Sequence, residues 1–202
     1  MAMTFSSLAI RVATTFFLLL IASGVATAAP LTELQQQQVA WAEGWGHALF
    51  DAYKAAGKVS DIAMDRALAA ADTAITDKCK VRYKAIVVAP PGVPPEKIAV
   101  YVIGDPKSAE GVMIGRHYRV NVSGDGRNAE SVTVSSKDCS FVAPQEVGQG
   151  IKGVVTAAMD APAPTEIHVF LSLATGETLF VQTKAGYWLV KDGKIELLQP
   201  NQ

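Results

Sequence analysis

The sequence predicts an α+β fold: an N-terminal helical segment packed on a curved, mainly antiparallel sheet of six to eight strands. Two patterns carry this expectation. Apolar residues recur every three or four positions from Leu34 to Ile75, and every second position from Val81 onward. The second region is punctuated by hairpin turns, Gly124-Asp125-Gly126 and Asp192-Gly193 being the clearest. No strand-helix-strand alternation is evident in the spacing, which disfavours a parallel doubly wound sheet.

The chain opens with the pattern of an export leader. Met1 to Ser7 carries no acid, Arg11 is positive, Val12 to Val25 is apolar and Ala26-Thr27-Ala28 is a small-x-small cleavage signal. Residues 1–28 are therefore expected to be removed, leaving residues 29–202 as one domain: a helical part to residue 78 and a β part from 79 to 202. No cysteine follows the cleavage point to take a lipid anchor. No later apolar run reaches the ~20 residues of a membrane span. A periplasmic or secreted protein is expected.

Each element then has its own signal. Thr32 with Gln35 forms a capping box for a first helix, whose apolar face runs through Leu34, Trp41, Trp45, Leu49 and Ala52 to a stop at Gly57. A second helix starts at Ser60 or Asp61 and carries Ile62, Leu68, Ala71 and Ile75. Val81, Tyr83, Ala85 and Val87 alternate as a strand, Pro90 to Pro95 is a stiff connection, and Ile98 to Ile103 reads as a central strand. Tyr118, Val120 and Val122 pair with Val132 and Val134 across the Gly124 turn. Ala143 to Gly153 reads as a loop and Ala161 to Pro164 as a second stiff connection. Ile167, Val169, Leu171 and Leu173 alternate as a strand, followed by Leu179–Gln182, Tyr187–Val190 and Ile195–Leu198 in a meander.

Composition limits the partners. Without Arg11 the mature chain has 17 basic against 19 acidic residues, so no basic surplus draws it to nucleic acid. Cys79 and Cys139, an even pair in an exported chain, predict one disulfide; two free thiols are the alternative. Neither has a Cys or His neighbour at ligand spacing, and no metal or cofactor is expected.

Candidate chemistry rests on three histidines. Glu43, His47 and Asp51 share a helix face at four-residue spacing, which suits metal ligands but equally an ordinary solvated face. His117, Arg119 and Asn121 share a strand face, with Ser131, Thr133 and Ser135 able to join them across the hairpin. That polar strip is the preferred ligand site, with Arg119 the contact for an anion. A water-facing sheet surface is the plainer account. His168 reads as a structural histidine on a half-apolar strand. No nucleophile elbow, Cys-x-x-Cys or phosphate loop occurs; Gly148 to Gly153 lacks the Gly-Lys-Ser/Thr ending. Trp41 and Trp45 read as the helix face that packs on the sheet. The Asn121-Val122-Ser123 triplet lies inside a strand and is discounted as a glycosylation site.

Helix followed by a curved antiparallel sheet is similar in outline to cystatin-like and NTF2-like architectures. The resemblance implies binding on the concave sheet face or at hairpin tips, here the His117 strip or the Gly124 turn. The leading expectation is a non-enzymatic exported module that binds a protein, a cell-envelope component or a small anionic ligand. The alternatives are a small hydrolase or lyase using His117, and an inhibitor or immunity-type protein with one protein partner. Two histidines, or a histidine and a carboxylate, converging in a closed cavity would favour the enzyme.

Overall fold

The computed structural model describes residues 30–55, 62–88, 97–148, 150–158 and 160–200. The expected leader, the Gly57 stop, the Ser60 or Asp61 helix start and the Pro90–Pro95 connection lie outside these residues. Two helices come first, α1 (Glu33–Ala55) and α2 (Ile62–Ala74). The capping box forms as expected. The Gln35 N–H donates to Thr32 Oγ1 at 3.3 Å and the Thr32 N–H to Gln35 Oε1 at 2.9 Å, so each satisfies a donor that the first helical turn leaves free.

The strands that follow are β1 (Tyr83–Val88), β2 (Lys97–Gly104), β3 (Lys107–Ser108), β4 (Gly111–Met113), β5 (Tyr118–Ser123) and β6 (Ala129–Val134). After them come β7 (Phe141–Val142), β8 (Gln145–Gly148) and β9 (Ile151–Ala158). Helix α3 (Glu166–Thr175) precedes the last three strands, β10 (Leu179–Thr183), β11 (Gly186–Lys191) and β12 (Lys194–Pro200). The α+β class is therefore what the chain adopts, and pairing among the described residues is antiparallel with one exception. The strands form an antiparallel sheet in the order β1-β2-β5-β6, a five-stranded sheet β12-β11-β10-β9-β8, and a small sheet β3-β4-β7. The exception is β9, which runs parallel to β10, Leu179 opposite Val154 through Thr183 opposite Ala158.

Two expectations are corrected here. The run Ile167 to Leu173 is not a strand but α3, the crossover a parallel pair requires. Period two misled because the helix is buried nearly all round: Ile167, His168, Val169, Phe170, Leu171 and Ser172 are all inaccessible, so no polar stripe marks its period. Its true signals are Thr165 before an acidic first turn and Gly176 after the last, the glycine in the left-handed conformation at φ 70°. Residues 143–153, read as a loop, contain instead the β8–β9 hairpin, turned at Gly150 with φ 75°.

Helix and sheet faces sort into two apolar clusters. The β1-β2-β5-β6 sheet presents Val100, Val102, Tyr118, Val120 and Val122 to Ala67 and Ala71 of α2. Its other face presents Ile86, Val88, Ala99, Tyr101 and Ile103 to a larger cluster with Trp45 and Leu49 of α1, Val169 and Phe170 of α3, and Leu179, Trp188 and Val190 of the second sheet. Thus α1 and α3 lie between the two sheets, and β2 of the first sheet is covered on both faces while its edge strand β6 is exposed. The Gly124 turn is likewise packed: a Cβ on Gly126, whose φ is 76°, would sit 2.0 Å from the Ala63 carbonyl oxygen of α2.

The α1–α3 crossing depends on one residue without a side chain. A Cβ on Gly46 would fall 2.4 Å from Val169 and 2.9 Å from the Glu166 carbonyl oxygen. Gly46→Ala gains helix propensity of up to about 1 kcal/mol. Forcing the helices apart costs more, so a net loss of about 1–3 kcal/mol in urea unfolding is expected. An unchanged midpoint would mean that the helices separate freely and would refute the close crossing.

Candidate functional site

Three segments distant in sequence meet at one place. His117 precedes β5 and Arg119 lies in it; Thr133 to Lys137 end β6 and continue past it; Ala157 and Ala158 end β9, and Asp160, Ala161 and Thr165 to His168 lead into the first turn of α3. Together they enclose a cleft of about 530 Å³ between the two sheets. That volume lies in the range of small-molecule sites.

Each polar group in the cleft is held by a specific local feature. His117 is fully buried, and its Nε2–H donates to the Met113 carbonyl at 2.8 Å. Its backbone N–H donates to Ser135 Oγ at 3.2 Å, and that hydroxyl donates to the Ile114 carbonyl at 3.3 Å. The other ring nitrogen, Nδ1, is buried with no hydrogen-bond partner among the described residues. His168 stands three residues after the helix cap Thr165, where a capping box places Glu or Gln, and its Nδ1 accepts the Thr165 N–H at 3.0 Å. Each ring is thereby fixed in one tautomer: the proton is on Nε2 in both, leaving His117 an acceptor at Nδ1 and His168 a donor at Nε2. Burial lowers the basicity of both rings, to a pKa of about 4 for each, and His117 lowers that of His168 further by charge repulsion. Both are neutral at pH 7.

The carboxylate of Glu166, in the first turn of α3, is buried and accepts the Tyr101 hydroxyl at 3.1 Å. Burial raises its pKa; its own backbone N–H and the Arg119 charge act against that. Burial, and then the Glu166 charge, raise that of Tyr101. Arg119 Nη1 lies 3.9 Å from Glu166, an ion-pair distance beyond a hydrogen bond, and its Nε is buried without a partner among the described residues. The guanidinium stacks over Trp45 and Trp41, 4.5 and 5.1 Å from their ring centroids. Trp45 thus belongs to the core, 6.1 Å from Tyr101, as the helical spacing suggested, while Trp41 stays 43% exposed.

The expected polar strip is divided by this arrangement. His117, Arg119 and Thr133 line the cleft, joined by Ser135. Asn121 and Ser131 do not line it; they lie further along the hairpin, hydrogen-bonded to one another at 2.8 Å. The strip is a surface in water only in part: Ser131 and Thr133 are exposed, while α1 covers the Arg119 end and His117 is inaccessible. The reading of His168 as a strand residue misses its part in the cleft. The sequence signal that could have found it is Thr165-x-x-His168 after Pro164, a helix start. Glu43 and His47 do not form a solvated face either. Glu43 accepts the Ile195 N–H and the Lys194 ammonium, each at 2.9 Å, and His47 packs beside Gly193 of the β11–β12 turn. Asp51 is exposed. No cluster of three or more His, Cys, Asp and Glu suited to a metal occurs among the described residues.

Cys79 and Cys139 are joined in a disulfide, with an S–S distance of 2.05 Å. No described helix is long and apolar enough to cross a membrane. Comparison with protein-family models, with curated proteins and with solved structures finds no match to this chain.

Proposed function

We propose that this protein is an exported binding module that holds a small anionic ligand in the cleft between its two sheets. The observation that carries the reading is the pair of neutral, tautomer-fixed histidines facing the same cleft as Arg119. Such groups recognise; they are poor at moving protons. A base with a pKa near 4 is far below the value that general-base catalysis at neutral pH favours. The Ser135 hydroxyl, which accepts the His117 backbone N–H, donates to the Ile114 carbonyl and is not activated by the ring. The convergence of two histidines, which would favour a hydrolase or lyase, here comes without a tuned base: the Thr165 hydroxyl lies 3.0 Å from His168 Nδ1, but that ring is too weakly basic to activate it at neutral pH. Export is supported by the leader pattern of residues 1–28 and by the disulfide, which suits an oxidising compartment.

Native mass spectrometry of protein purified gently from its own cell envelope or medium tests this reading. A small-molecule adduct on a chain beginning at Ala29, lost in Arg119→Ala, is the expected result. An adduct of protein size, or a bare chain that no anionic small molecule stabilises against heat, would overturn it.

A further inference from the structure

Two open sheet edges meet at the cleft. Strand β6 is the last of its sheet, and β5 is its one neighbour among the described strands. The Ser135 N–H donates to the His117 carbonyl at 2.9 Å, and Thr133, two residues earlier, stands opposite Arg119. Antiparallel alternation then turns the backbone N–H and C=O of Val134 away from β5. Strand β9 is open along half its length. On one side β8 pairs with it only from Ile151 to Gly153; on the other β10 pairs with Val154 to Ala158. The Val154 N–H donates to the Thr178 carbonyl at 2.8 Å, so Val154, Thr156 and Ala158 face β10. Val155 and Ala157 turn their N–H and C=O to the open side. Val134 from one sheet and Ala157 from the other both line the cleft. So do their sequence neighbours, Thr133 to Lys137 and Ala158. Side chains alternate between the faces of a strand, so lining by consecutive residues means that the cleft meets the strand's edge as well as a face.

We infer that the ligand is a short free peptide, extended through the cleft as a strand added between β6 and β9. This rests on the cleft being the ligand site. An unpaired N–H and C=O on an exposed edge is what strand addition uses, and here each sheet offers one to the same space. A strand residue fills roughly 160 Å³, from a rise of ~3.3 Å, a spacing of ~4.8 Å and a thickness of ~10 Å. A cleft of about 530 Å³ therefore takes about three or four residues. The small side chains of Ser136, Ala157, Ala158 and Ala161 leave room for a main chain to approach. The charged residues lining the cleft, Arg119 and Lys137 against Glu166 and Asp160, sum to zero. A free peptide matches that balance, because its ammonium cancels its carboxylate, the anionic group of the reading above.

Calorimetry on the mature protein tests it with three probes: tetra-alanine, the same peptide N-methylated at its central amide, and N-acetyl-tetra-alanine amide. Successive amides of a strand point to opposite sides, so with an edge on both sides the methyl group falls on a pairing position whichever way the peptide enters. Tetra-alanine is expected to bind, and the methylated peptide about fivefold or more weakly, the worth of one hydrogen bond. The capped peptide, without either charge, is expected to bind about fivefold more weakly, the worth of two surface ion pairs. Ala157→Pro removes an N–H from the open side of β9 and leaves the β10 ladder its bonds, so it should weaken tetra-alanine about fivefold, while Ala157→Ser, which keeps the N–H, binds as the parent does. Should Ala157→Pro melt below the parent, the methylated peptide decides. A methylated peptide that binds as tightly as tetra-alanine, a well-folded Ala157→Pro that binds as the parent does, or binding of none of the probes would each overturn the inference. A capped peptide equal to the free one would overturn it too, and would give the cleft to an internal segment of a longer chain. If none binds, an adduct in native mass spectra that Arg119→Ala removes would keep the cleft as a ligand site and discard only the peptide; no adduct would discard both.

Discussion

Cys79→Ser is expected to lower the melting temperature of the oxidised protein by roughly ten degrees, the equivalent of about 4 kcal/mol. The bridged cysteines are separated by 60 positions, and releasing a loop of that length restores much entropy to the unfolded chain. The bridge also ties two segments that Arg116 joins by side-chain bonds, to Asp77 on one side and to the Lys137 carbonyl on the other. Cys79 follows the end of α2, and its N–H donates to the Tyr83 hydroxyl at 3.1 Å. Nearby, the Tyr118 hydroxyl donates to the Asp77 carbonyl at 3.0 Å and Arg116 forms an ion pair with Asp77. Cys139 closes the segment that carries Ser135, Ser136 and Lys137 along one wall of the cleft. That segment lies so close to Gly115 that a Cβ there would stand 1.9 Å from the Asp138 carbonyl oxygen. Loss of the bridge should therefore weaken ligand binding as well as stability. Reductant added to the parent should reproduce the shift. An unchanged melting temperature, together with free thiols in the parent, would contradict the bridge.

Acidification from pH 6.5 to pH 4 is the second large effect expected. His117 and His168 have folded-state pKa values near 4 against an ordinary 6.5. Between these limits the unfolded chain binds protons that the folded one refuses, so stability rises with pH through the window and is level, as far as these two groups go, above it. Each ring contributes on the order of 3 kcal/mol to the loss by pH 4. Glu166 acts in the opposite sense: its raised pKa makes the folded state bind a proton more readily, which offsets part of the loss. One carboxyl against two histidines leaves a net destabilisation. Urea midpoints measured at pH 7, 5.5 and 4.5 should fall in that order. The imidazole C–H resonances of His117 and His168 should hold their neutral positions down to about pH 5. Either ring titrating near 6.5 would show that it is not buried as described.

How much of this was legible in the sequence follows from the range of each interaction. The capping box of Thr32 and Gln35, the Gly124 and Asp192 turns and the β10–β12 meander are local, and three or four residues suffice to specify them. The even cysteine pair announced the bridge. Arg119 was singled out for its charge and does line the cleft, but with two tryptophans stacked under it that the spacing alone could only assign to a packed helix face. Helix α3 was illegible to periodicity because burial on every side removes the polar stripe on which periodicity depends.

By itself the sequence determined the leader pattern, the α+β class, the pairing of the cysteines and a set of polar residues around β5. Only the tertiary structure decided which of them meet. His117 and His168 are separated by 51 positions, and no local spacing encodes their approach; it arises because a parallel β9–β10 pair needs a crossover, and that crossover sets the first turn of α3 against the start of β5. The same packing carried Asn121 and Ser131 away from the cleft and took His117 out of water. A side chain's face is written in its own strand, but what covers that face belongs to elements whose positions depend on the whole fold.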